Sequence, residues 1–360
     1  MTRISLALVL IAMMASPAMY AQQPAKEKSF HVWGDDISTA KPLNAPDGKK
    51  LPLIRVQGNR FVNAKGDTVL FRGLAISDPD NLEQIGHWNR ELFAEIKSMG
   101  AMIVRIPIHP VAWRERTPER YLELLDQAVA WCTELGIYIM IDWHSIGNLK
   151  MELFQDPMYN TTQRETYEFW QTIAHHFAGN NTVAFYELFN EPTVYNGRLG
   201  RMTWEEWKRI NENIIDLIRA FDRETIPLVA GLDWAYDLTP LQNDPVRAEG
   251  IGYVTHPYPH KRPKPYEPRW EENFGFAASR YPVVATEFSF TLGRGGMADN
   301  GEYGRAIISY LEAKNISWIC WVFDPKWTPR MLESWDHYRL TECGEFFKQA
   351  MHGMVGDGRH

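Results

Sequence analysis

Two glutamates in this sequence are placed to work as a catalytic pair. Glu191 lies in the triplet Asn190-Glu191-Pro192, and Glu287 directly follows the apolar run 283–286. Hydrolysis of a glycosidic bond through a covalent intermediate needs one carboxylic acid to protonate the departing oxygen and one carboxylate to attack the anomeric carbon. The two groups must lie roughly 5 to 5.5 Å apart. The fold must therefore bring together two residues that are distant in the chain.

Other polar and aromatic residues stand at or near the ends of similar apolar runs: Arg105, Asp142-Trp143-His144, His256-Pro257-Tyr258 and Trp321. Arg105 is the candidate to hold Glu287 ionised, and the Tyr258 hydroxyl is the candidate to donate a hydrogen bond to the same carboxylate. Asn190 is placed to bond a sugar hydroxyl beside the acid. Trp321 offers a flat face on which a sugar ring can stack.

The elements that must position these residues are eight short apolar or β-branched runs with helical patterns between them. The runs are 69–74, 102–106, 137–141, 183–189, 227–232, 251–255, 283–286 and 316–322. The helical patterns include 90–99, 118–135, 164–177, 204–221 and 303–314. Strands alternating with helices indicate parallel β/α units, and eight units predict an α/β protein with a (β/α)8 TIM barrel. An open doubly wound sheet is the alternative, but it would prefer a glycine-rich phosphate turn after its first strand.

A small N-terminal β-hairpin element is predicted ahead of the barrel. Residues 54–70 alternate apolar and polar side chains around turn signals at 57–59 and 65–67. Such a hairpin would form a lid over one end of the fold.

The first 21 residues have the composition of a signal peptide. Arg3 precedes an apolar run from Ile4 to Ala15, and small residues follow up to Ala18 or Ala21. The run is too short to span a bilayer, so we expect an exported protein, periplasmic or extracellular, without a membrane span in the mature chain. A buried N-terminal helix is the alternative. The rest divides into an extension (22–50), a catalytic domain (51–350) and a C-terminal tail (351–360).

The bulk composition argues against several classes of partner. A formal charge of −7 and a pI near 5.9 give no electrostatic footprint for nucleic acid or an anionic membrane. A neutral substrate is the simplest expectation. The three cysteines allow at most one disulfide, and we assign them no catalytic role. The oligomeric state cannot be read from these residues.

The ordered set of site residues resembles glycoside hydrolase family 5. The resemblance spans about 54–350 and is carried by Arg105 in Val104-Arg105-Ile106-Pro107, His144 in Asp142-Trp143-His144, Asn190-Glu191-Pro192, His256 with Tyr258, Glu287 and Trp321. It implies a retaining mechanism with Glu191 as acid/base and Glu287 as nucleophile. It also implies a subsite for the reacting sugar lined by Arg105, His144, Asn190, His256, Tyr258 and Trp321.

Two departures from the family pattern stand out. Many members carry a glycine two residues after the nucleophile, whereas Phe288 and Ser289 follow Glu287 here. The substrate side of that loop is therefore expected to differ. The last apolar run also contains two tryptophans, and we prefer Trp321 over Trp318 as the stacking residue because it lies nearer the C-terminal end of the strand.

Each site residue also has a purely structural alternative. The two glutamates would then be exposed loop carboxylates, Arg105 an ion pair inside the barrel, and Trp321 a packing residue. His144 and His256 would be hydrogen-bonded histidines of the barrel wall. Three further acids near strand ends are expected to brace neighbouring groups rather than to react: Asp142, Asp233 and Asp324.

Aromatic and basic residues outside the ordered set suggest a sugar-binding mouth. Six aromatic residues are predicted in or near the loops there, about half of them packed under helices: Trp113, Trp143, Trp234, Tyr236, Trp270 and Trp327. The basic stretch 260–265 is predicted to be a solvated loop, with contact to an acidic sugar as the alternative. Residues 292–296 are predicted to form a flexible active-site loop.

The function expected is retaining hydrolysis of a β-linked polysaccharide or oligosaccharide by an endo-β-1,4-glucanase, that is, a cellulase. A β-mannanase, a xylanase, a mixed-linkage glucanase and an inert carbohydrate-binding barrel remain alternatives. A metal-dependent barrel hydrolase is disfavoured, because the first strand offers no His-x-His pair and His175-His176 are adjacent on a helix. We therefore expect neither a metal nor a cofactor.

Overall fold

The computed structural model describes residues 51–292, 298–299 and 301–355, and elements are numbered in chain order across them. The predicted signal peptide and extension lie outside these residues. So do most of the predicted loop 292–296 and the last five residues of the tail.

Eight parallel strands close into a barrel in the order β10-β11-β12-β15-β3-β4-β5-β8. Their residues are almost all buried, as near-continuous apolar runs in a sheet covered on both faces require. The eight strands are β3 (Arg72–Ala75), β4 (Ile103–Ile108), β5 (Tyr138–Trp143), β8 (Val183–Glu187), β10 (Ile226–Ala230), β11 (Gly252–Thr255), β12 (Val283–Ala285) and β15 (Ser317–Cys320). The predicted TIM barrel is confirmed.

Helices surround the barrel and follow most of its strands. They are α1 (Pro79–Gln84), α2 (Arg90–Ser98), α3 (Pro110–Arg116), α4 (Pro118–Leu135), α5 (Gln163–Phe177), α6 (Trp204–Arg219), α7 (Leu232–Ala235), α8 (Tyr266–Asn273), α9 (Glu302–Ala313) and α10 (Glu342–Met351). Short 3-10 helices span Pro157–Tyr159, Tyr195–Gly197, Thr239–Gln242, Gly275–Ser279 and Asp336–Tyr338. None of the helices in the described part of the chain is long and apolar enough to cross a membrane.

The helix ends follow local sequence signals. Helix α4 starts at Pro118 and stops before Gly136, which adopts a left-handed φ of 69°. Helix α6 begins with a capping box between Thr203 and Glu206. The segment between β10 and β11 contains only a 3-10 turn and the four-residue α7, whose Asp233 and Trp234 have left-handed backbone angles. This unit therefore lacks the regular helix of the other well-formed units.

The predicted hairpin forms from β1 (Arg55–Gln57) and β2 (Arg60–Val62), which pair antiparallel. Phe61 packs edge-to-face on Phe185, with ring centroids 4.9 Å apart, and on Phe71 just before β3. These rings belong to a cluster that includes the first residues of β4 and β10. The hairpin therefore covers the N-terminal end of the barrel, opposite the ends where catalytic residues of such barrels lie.

Besides the hairpin, two small sheets lie outside the barrel in the described part of the chain. In one, β6 (Ile146–Asn148) pairs with β7 (Leu153–Phe154) and with β9 (Glu191–Pro192). In the other, β13 (Thr291–Leu292) pairs with β14 (Ala298–Asp299). The first sheet holds Glu191, whose backbone N–H donates to the carbonyl of Ser145 at 3.0 Å.

Candidate active site

A cleft of about 650 Å³ opens at the C-terminal ends of the barrel strands. Both predicted glutamates line it, together with His144, Tyr258 and Trp321. One carboxylate oxygen of Glu191, one of Glu287 and one ring nitrogen of His256 lie within 4.8 Å of one another. This spacing fits a retaining pair, because inverting pairs are separated by roughly 6.5 to 9.5 Å.

Arg105 is buried at the centre of the acidic cluster beneath the cleft. Its Nε and Nη2 donate to the two oxygens of Glu187 at 2.6 and 3.1 Å, and its Nη1 donates to Glu287 at 3.1 Å. Nη2 also donates to Asn190 Oδ1 at 2.6 Å and lies 2.9 Å from Asp142 Oδ2. A buried cation needs such compensation. Arg105 thus fixes the positions of several site residues at once.

Glu187 is a site residue that the sequence reasoning missed. It ends β8, is fully buried, and accepts from Arg105 and from the Thr286 hydroxyl at 2.8 Å. Burial alone would raise the pKa of its carboxyl, but Arg105 and the nearby His256, whose Nε2 lies 3.5 Å from Glu187 Oε1, lower it to about 2. Glu187 is therefore an ionised counter-charge beneath the cleft.

Both oxygens of Glu287 have a donor. Arg105 Nη1 donates to one, and the Tyr258 hydroxyl donates to the other at 2.8 Å. These are the two contacts predicted from the sequence. Burial raises the pKa of Glu287, while the charges of His256 and Arg105 and the Tyr258 hydrogen bond lower it. The contribution predicted for Arg105 is present, although burial outweighs it.

His256 links Glu191 to the buried cluster. Its Nδ1 lies 3.0 Å from Glu191 Oε1, and its Nε2 lies 3.0 Å from Thr286 Oγ1. The Thr286 hydroxyl donates to Glu187, so its oxygen must accept from a proton on Nε2. Burial alone would lower the pKa of His256, but Glu287, Glu187 and Glu191 raise it to about 8. The ring is therefore protonated at neutral pH and donates to Glu191 from Nδ1.

His144 and Trp321 form one wall of the cleft. Their rings are stacked, with planes parallel to within 2° and centroids 5.5 Å apart. His144 Nδ1 bonds Asp142 at 2.6 Å, and burial lowers its pKa well below the ordinary value, so the ring is neutral. Asp142 braces it, as expected. Trp318 is fully buried against Phe288, which leaves Trp321 as the exposed face.

The remaining predicted residue, Asn190, is buried beside Glu191. Its Oδ1 accepts from Arg105, which fixes the amide orientation. Its Nδ2 has no partner among the described residues. A buried amide N–H without an acceptor is costly, so this group is ready to donate to a sugar hydroxyl.

The mouth aromatics predicted from the sequence need correction. Trp234 and Trp327 line the cleft. The other four are buried away from it: Trp113, Trp143, Tyr236 and Trp270. Side chains alternate along a strand, so Trp143 points outward, whereas its neighbours Asp142 and His144 point into the site. Trp143 stacks on Phe169 of α5 with centroids 4.1 Å apart.

The basic stretch 260–265 is not simply a solvated loop. His260, Lys261 and Arg262 line the cleft, and burial lowers the pKa of Lys261. Asp233 also lines the cleft, where it pairs with Arg262 at 3.1 Å. The bracing role expected for Asp233 fits this contact. Lys261 and Arg262 are partly buried, whereas His260 and residues 263–265 are exposed, as expected for a solvated loop.

The spacing of Glu191, His256 and Glu287 would also suit three ligands of a metal ion. Both nitrogens of His256 and both oxygens of Glu287 already have hydrogen-bond partners, however. Arg105 also places a positive charge directly against Glu287. The arrangement suits proton transfer and nucleophilic attack better than it suits a cation.

Comparison with known proteins agrees with this geometry. The cellulase model of glycosyl hydrolase family 5 matches residues 62–326. An endoglucanase of Clostridium saccharobutylicum is 25% identical over 335 residues, which cover 90% of this chain and 70% of that protein. Endoglucanase E-5 of Thermobifida fusca is 24% identical over 278 residues, which cover 74% of this chain and only 55% of that protein.

A solved structure gives a stronger match. The β-glucanase SdGluc5_26A of Saccharophagus degradans, in complex with cellotetraose, has a TM-score of 0.86 and 44% identity. The match covers 89% of this chain and 99% of that one. A family model that fits well over half of the chain, and a relative this similar over nearly its whole length, lead to one conclusion: the chain belongs to glycoside hydrolase family 5.

Proposed function

We propose that this glycoside hydrolase is a retaining endo-β-1,4-glucanase in which Glu191 is the acid/base and Glu287 the nucleophile. The observation that carries the proposal is the approach of the two carboxylates to within 4.8 Å inside the cleft. Their surroundings differ, as two separate roles require. Glu287 has two donors fixed on its oxygens, whereas Glu191 contacts a histidine that can take or return a proton.

The proposed reaction has two steps. In the first, a Glu287 oxygen attacks the anomeric carbon, the bond to the leaving sugar breaks, and Glu191 gives its proton to the departing oxygen. In the second, Glu191 takes a proton from water, the water oxygen attacks the anomeric carbon, and Glu287 departs. Arg105 and Tyr258 hold Glu287 in line for both displacements. Trp321 and the Asn190 amide support the reacting sugar.

Support for a β-glucan substrate comes from the relatives and from the cleft. The relatives compared above are named endoglucanases or a β-glucanase, and the 44% identical β-glucanase was crystallised with cellotetraose. Trp234, Trp321 and Trp327 line an open cleft, which suits a chain of several pyranose rings. The acidic net charge of −7 suits a neutral polymer.

Reducing-end release across a polysaccharide panel tests the substrate. We expect the purified chain to cleave carboxymethylcellulose and barley β-glucan, and to leave mannan and xylan intact. A viscosity drop that precedes most of the reducing-end release would show endo attack. Cleavage of mannan or xylan with both glucans untouched would contradict the glucanase proposal. Oligosaccharide binding without reducing-end release would indicate an inert barrel.

The pH dependence tests the link between His256 and Glu191. We expect kcat/KM to fall as pH rises through about 8, where His256 loses its proton. The neutral ring keeps its proton on Nε2, so Nδ1 no longer donates to Glu191 Oε1, and the hydrogen bond that orients this carboxyl is lost. The measurement is the kcat/KM profile of the wild type and of His256→Gln.

In His256→Gln this alkaline limb should be displaced from its wild-type position, because glutamine does not titrate. A wild-type plateau that extends well beyond pH 9, or a limb at the same pH in the variant as in the wild type, would contradict the assignment. The contribution of His256 to folding stability should also fall as pH rises. The folded-state pKa of His256 is raised, so its contribution is complete below about 6.5 and is lost as pH rises through about 8.

We also propose that the chain is exported through its first 21 residues. The support is their composition alone, a charged start followed by the apolar run from Ile4 to Ala15. The mass of the chain recovered from the periplasm or medium of an expressing bacterium tests this. An uncut chain retained in the cytoplasm would contradict it.

A further inference from the structure

We propose that Lys261 is a positioning residue that fixes Trp234 on the leaving-group side of the cleft. Its effect is to set how strongly the enzyme binds the sugars beyond the cleaved bond. The inference rests on the proposed glucanase function and concerns the same site. It gives a role to the first part of the basic stretch 260–265.

The first observation is an unfavourable backbone turn after β10. Asp233, Trp234 and Ala235 have φ angles of 59°, 53° and 58°. Left-handed backbone is disfavoured for residues with a Cβ atom, and three such residues in a row are rarer than single ones. A turn of this kind persists only where its surroundings hold it. Contacts from outside the turn must therefore stabilise it.

Lys261 supplies such contacts. Its Nζ donates to the carbonyl oxygen of Asp233 at 2.8 Å and to that of Trp234 at 3.3 Å. The same ammonium lies 4.9 Å from the centroid of the Trp234 ring. Hydrogen bonds from a charged donor are stronger than neutral ones, and a cation near an aromatic face adds attraction. One side chain thus holds both the backbone and the ring of Trp234.

Other neighbours limit the remaining freedom of the Trp234 ring. Its Nε1 donates to Gln155 Oε1 at 2.9 Å, and Tyr195 meets it edge-to-face with centroids 5.8 Å apart. Arg262 steadies the turn by pairing with Asp233 Oδ2 at 3.1 Å. The ring is therefore held in one orientation at the cleft, where it is accessible to a ligand.

The position of Trp234 relative to Glu191 identifies the side that it serves. The acid must touch the oxygen that leaves with the next sugar. Along the cleft, Trp321 therefore lies on the side of the attacked sugar, and the leaving sugar lies on the other side, next to Glu191. Glu191 follows β8, and Trp234 follows the adjacent strand β10, whereas Trp321 follows β15. Trp234 and Lys261 consequently bound the part of the cleft that receives the leaving sugar.

A comparison of two substrates that share the attacked sugar but differ in leaving group tests this role. β-Cellobiosyl fluoride places only a fluoride beyond Glu191, whereas barley β-glucan places a sugar chain there. For Lys261→Met we expect kcat/KM on the glucan to fall about tenfold, mainly through KM. On the fluoride we expect a change of less than about twofold, because the leaving side is then empty.

A product ratio provides a readout that does not depend on the amount of folded enzyme. The glycosyl-enzyme formed from cellobiosyl fluoride partitions between water and added cellobiose, which binds on the leaving side. We expect Lys261→Met to lower the ratio of transfer to hydrolysis about fivefold or more. Lys261→Arg, which keeps a cation with several donors, should recover most of the ratio.

Lys264→Met is the matched control, since it removes the same charge from the exposed end of the same loop. It should leave both the glucan rate and the product ratio unchanged. An equal fall in kcat/KM on the glucan and on the fluoride for Lys261→Met would overturn the inference. So would an unchanged ratio of transfer to hydrolysis. A wild type that cleaves neither substrate would instead contradict the proposed function and, with it, this inference.

Discussion

Glu287→Ala is expected to lower kcat/KM on β-1,4-glucan by about four orders of magnitude or more, because no other group can form the covalent intermediate. Arg105 and Tyr258 fix both oxygens of the Glu287 carboxylate, and one of these oxygens lies within 4.8 Å of a Glu191 oxygen. The initial rate of reducing-end release at glucan concentrations well below KM measures the loss. Arg105 keeps its contacts to Glu187 in the variant, so the thermal unfolding midpoint serves as the folding control.

Glu191→Ala is the matched variant, because it removes the other carboxylate of the pair. It should lose about 10²- to 10³-fold on glucan, which needs an acid, and much less on an aryl cellobioside with a good leaving group. Added azide should restore turnover and give a β-cellobiosyl azide. The same experiment on Glu287→Ala should give no β-azide. Identical behaviour of the two variants would contradict the assigned roles.

Arg105→Met is expected to destabilise the fold by about 3–5 kcal/mol, because it leaves buried carboxylates without their cation. Glu187 would lose both of its guanidinium bonds, and Glu287 would lose one. For a domain of this size the midpoint should fall by about 10 °C. Thermal unfolding followed by circular dichroism measures the shift. Activity should fall too, since Asn190 and Glu287 lose a common support.

Arg72→Met is the control for Arg105. Arg72 makes a two-bonded pair with Glu312, at 2.7 and 2.9 Å, but both side chains are 28% exposed. A pair screened by water should cost about 1 kcal/mol or less. Equal losses in the two variants would contradict the account of the buried cluster.

The difference between wild type and Arg105→Met should also depend on pH. The folded-state pKa of Glu187 is lowered to about 2 from an ordinary value of 4.5. Its stabilising contribution is therefore present above about 4.5 and disappears as pH falls through about 2. The stability gap between the two proteins should narrow over that range. A gap that widens with acidification would be inconsistent with Glu187 as an ionised counter-charge.

The barrel was predictable because its strands are continuous apolar runs bounded by polar residues. Glu191 and Glu287 could be found for the same reason, since each comes one or two residues after the end of such a run. In a barrel those ends converge, so position along the chain translates into position in space. The same rule led to the two contacts of Glu287, with Arg105 and Tyr258, that the structure contains.

Residues whose role depends on side-chain direction or on distant partners were harder to predict. Glu187 reads as one acid inside an apolar run, and its partner Arg105 lies on another strand. Trp143 and His144 are neighbours in sequence, yet the strand pleat sends one to the helices and the other to the cleft. The sheet that carries Glu191 has strands of only two or three residues. These are too short to show the alternation of apolar and polar side chains by which a strand is predicted from sequence.

The closure of the barrel floor by the β1–β2 hairpin makes oriented immobilisation possible. The three cysteines of the chain are all buried, so none offers a reachable thiol. Lys65 is exposed in the turn that follows the hairpin. Lys65→Cys would introduce a reactive handle at the end of the barrel away from the cleft. Enzyme coupled to a solid support through that handle would have its cleft directed into the solution. A polymer too large to diffuse between the enzyme and the support could then still enter the cleft.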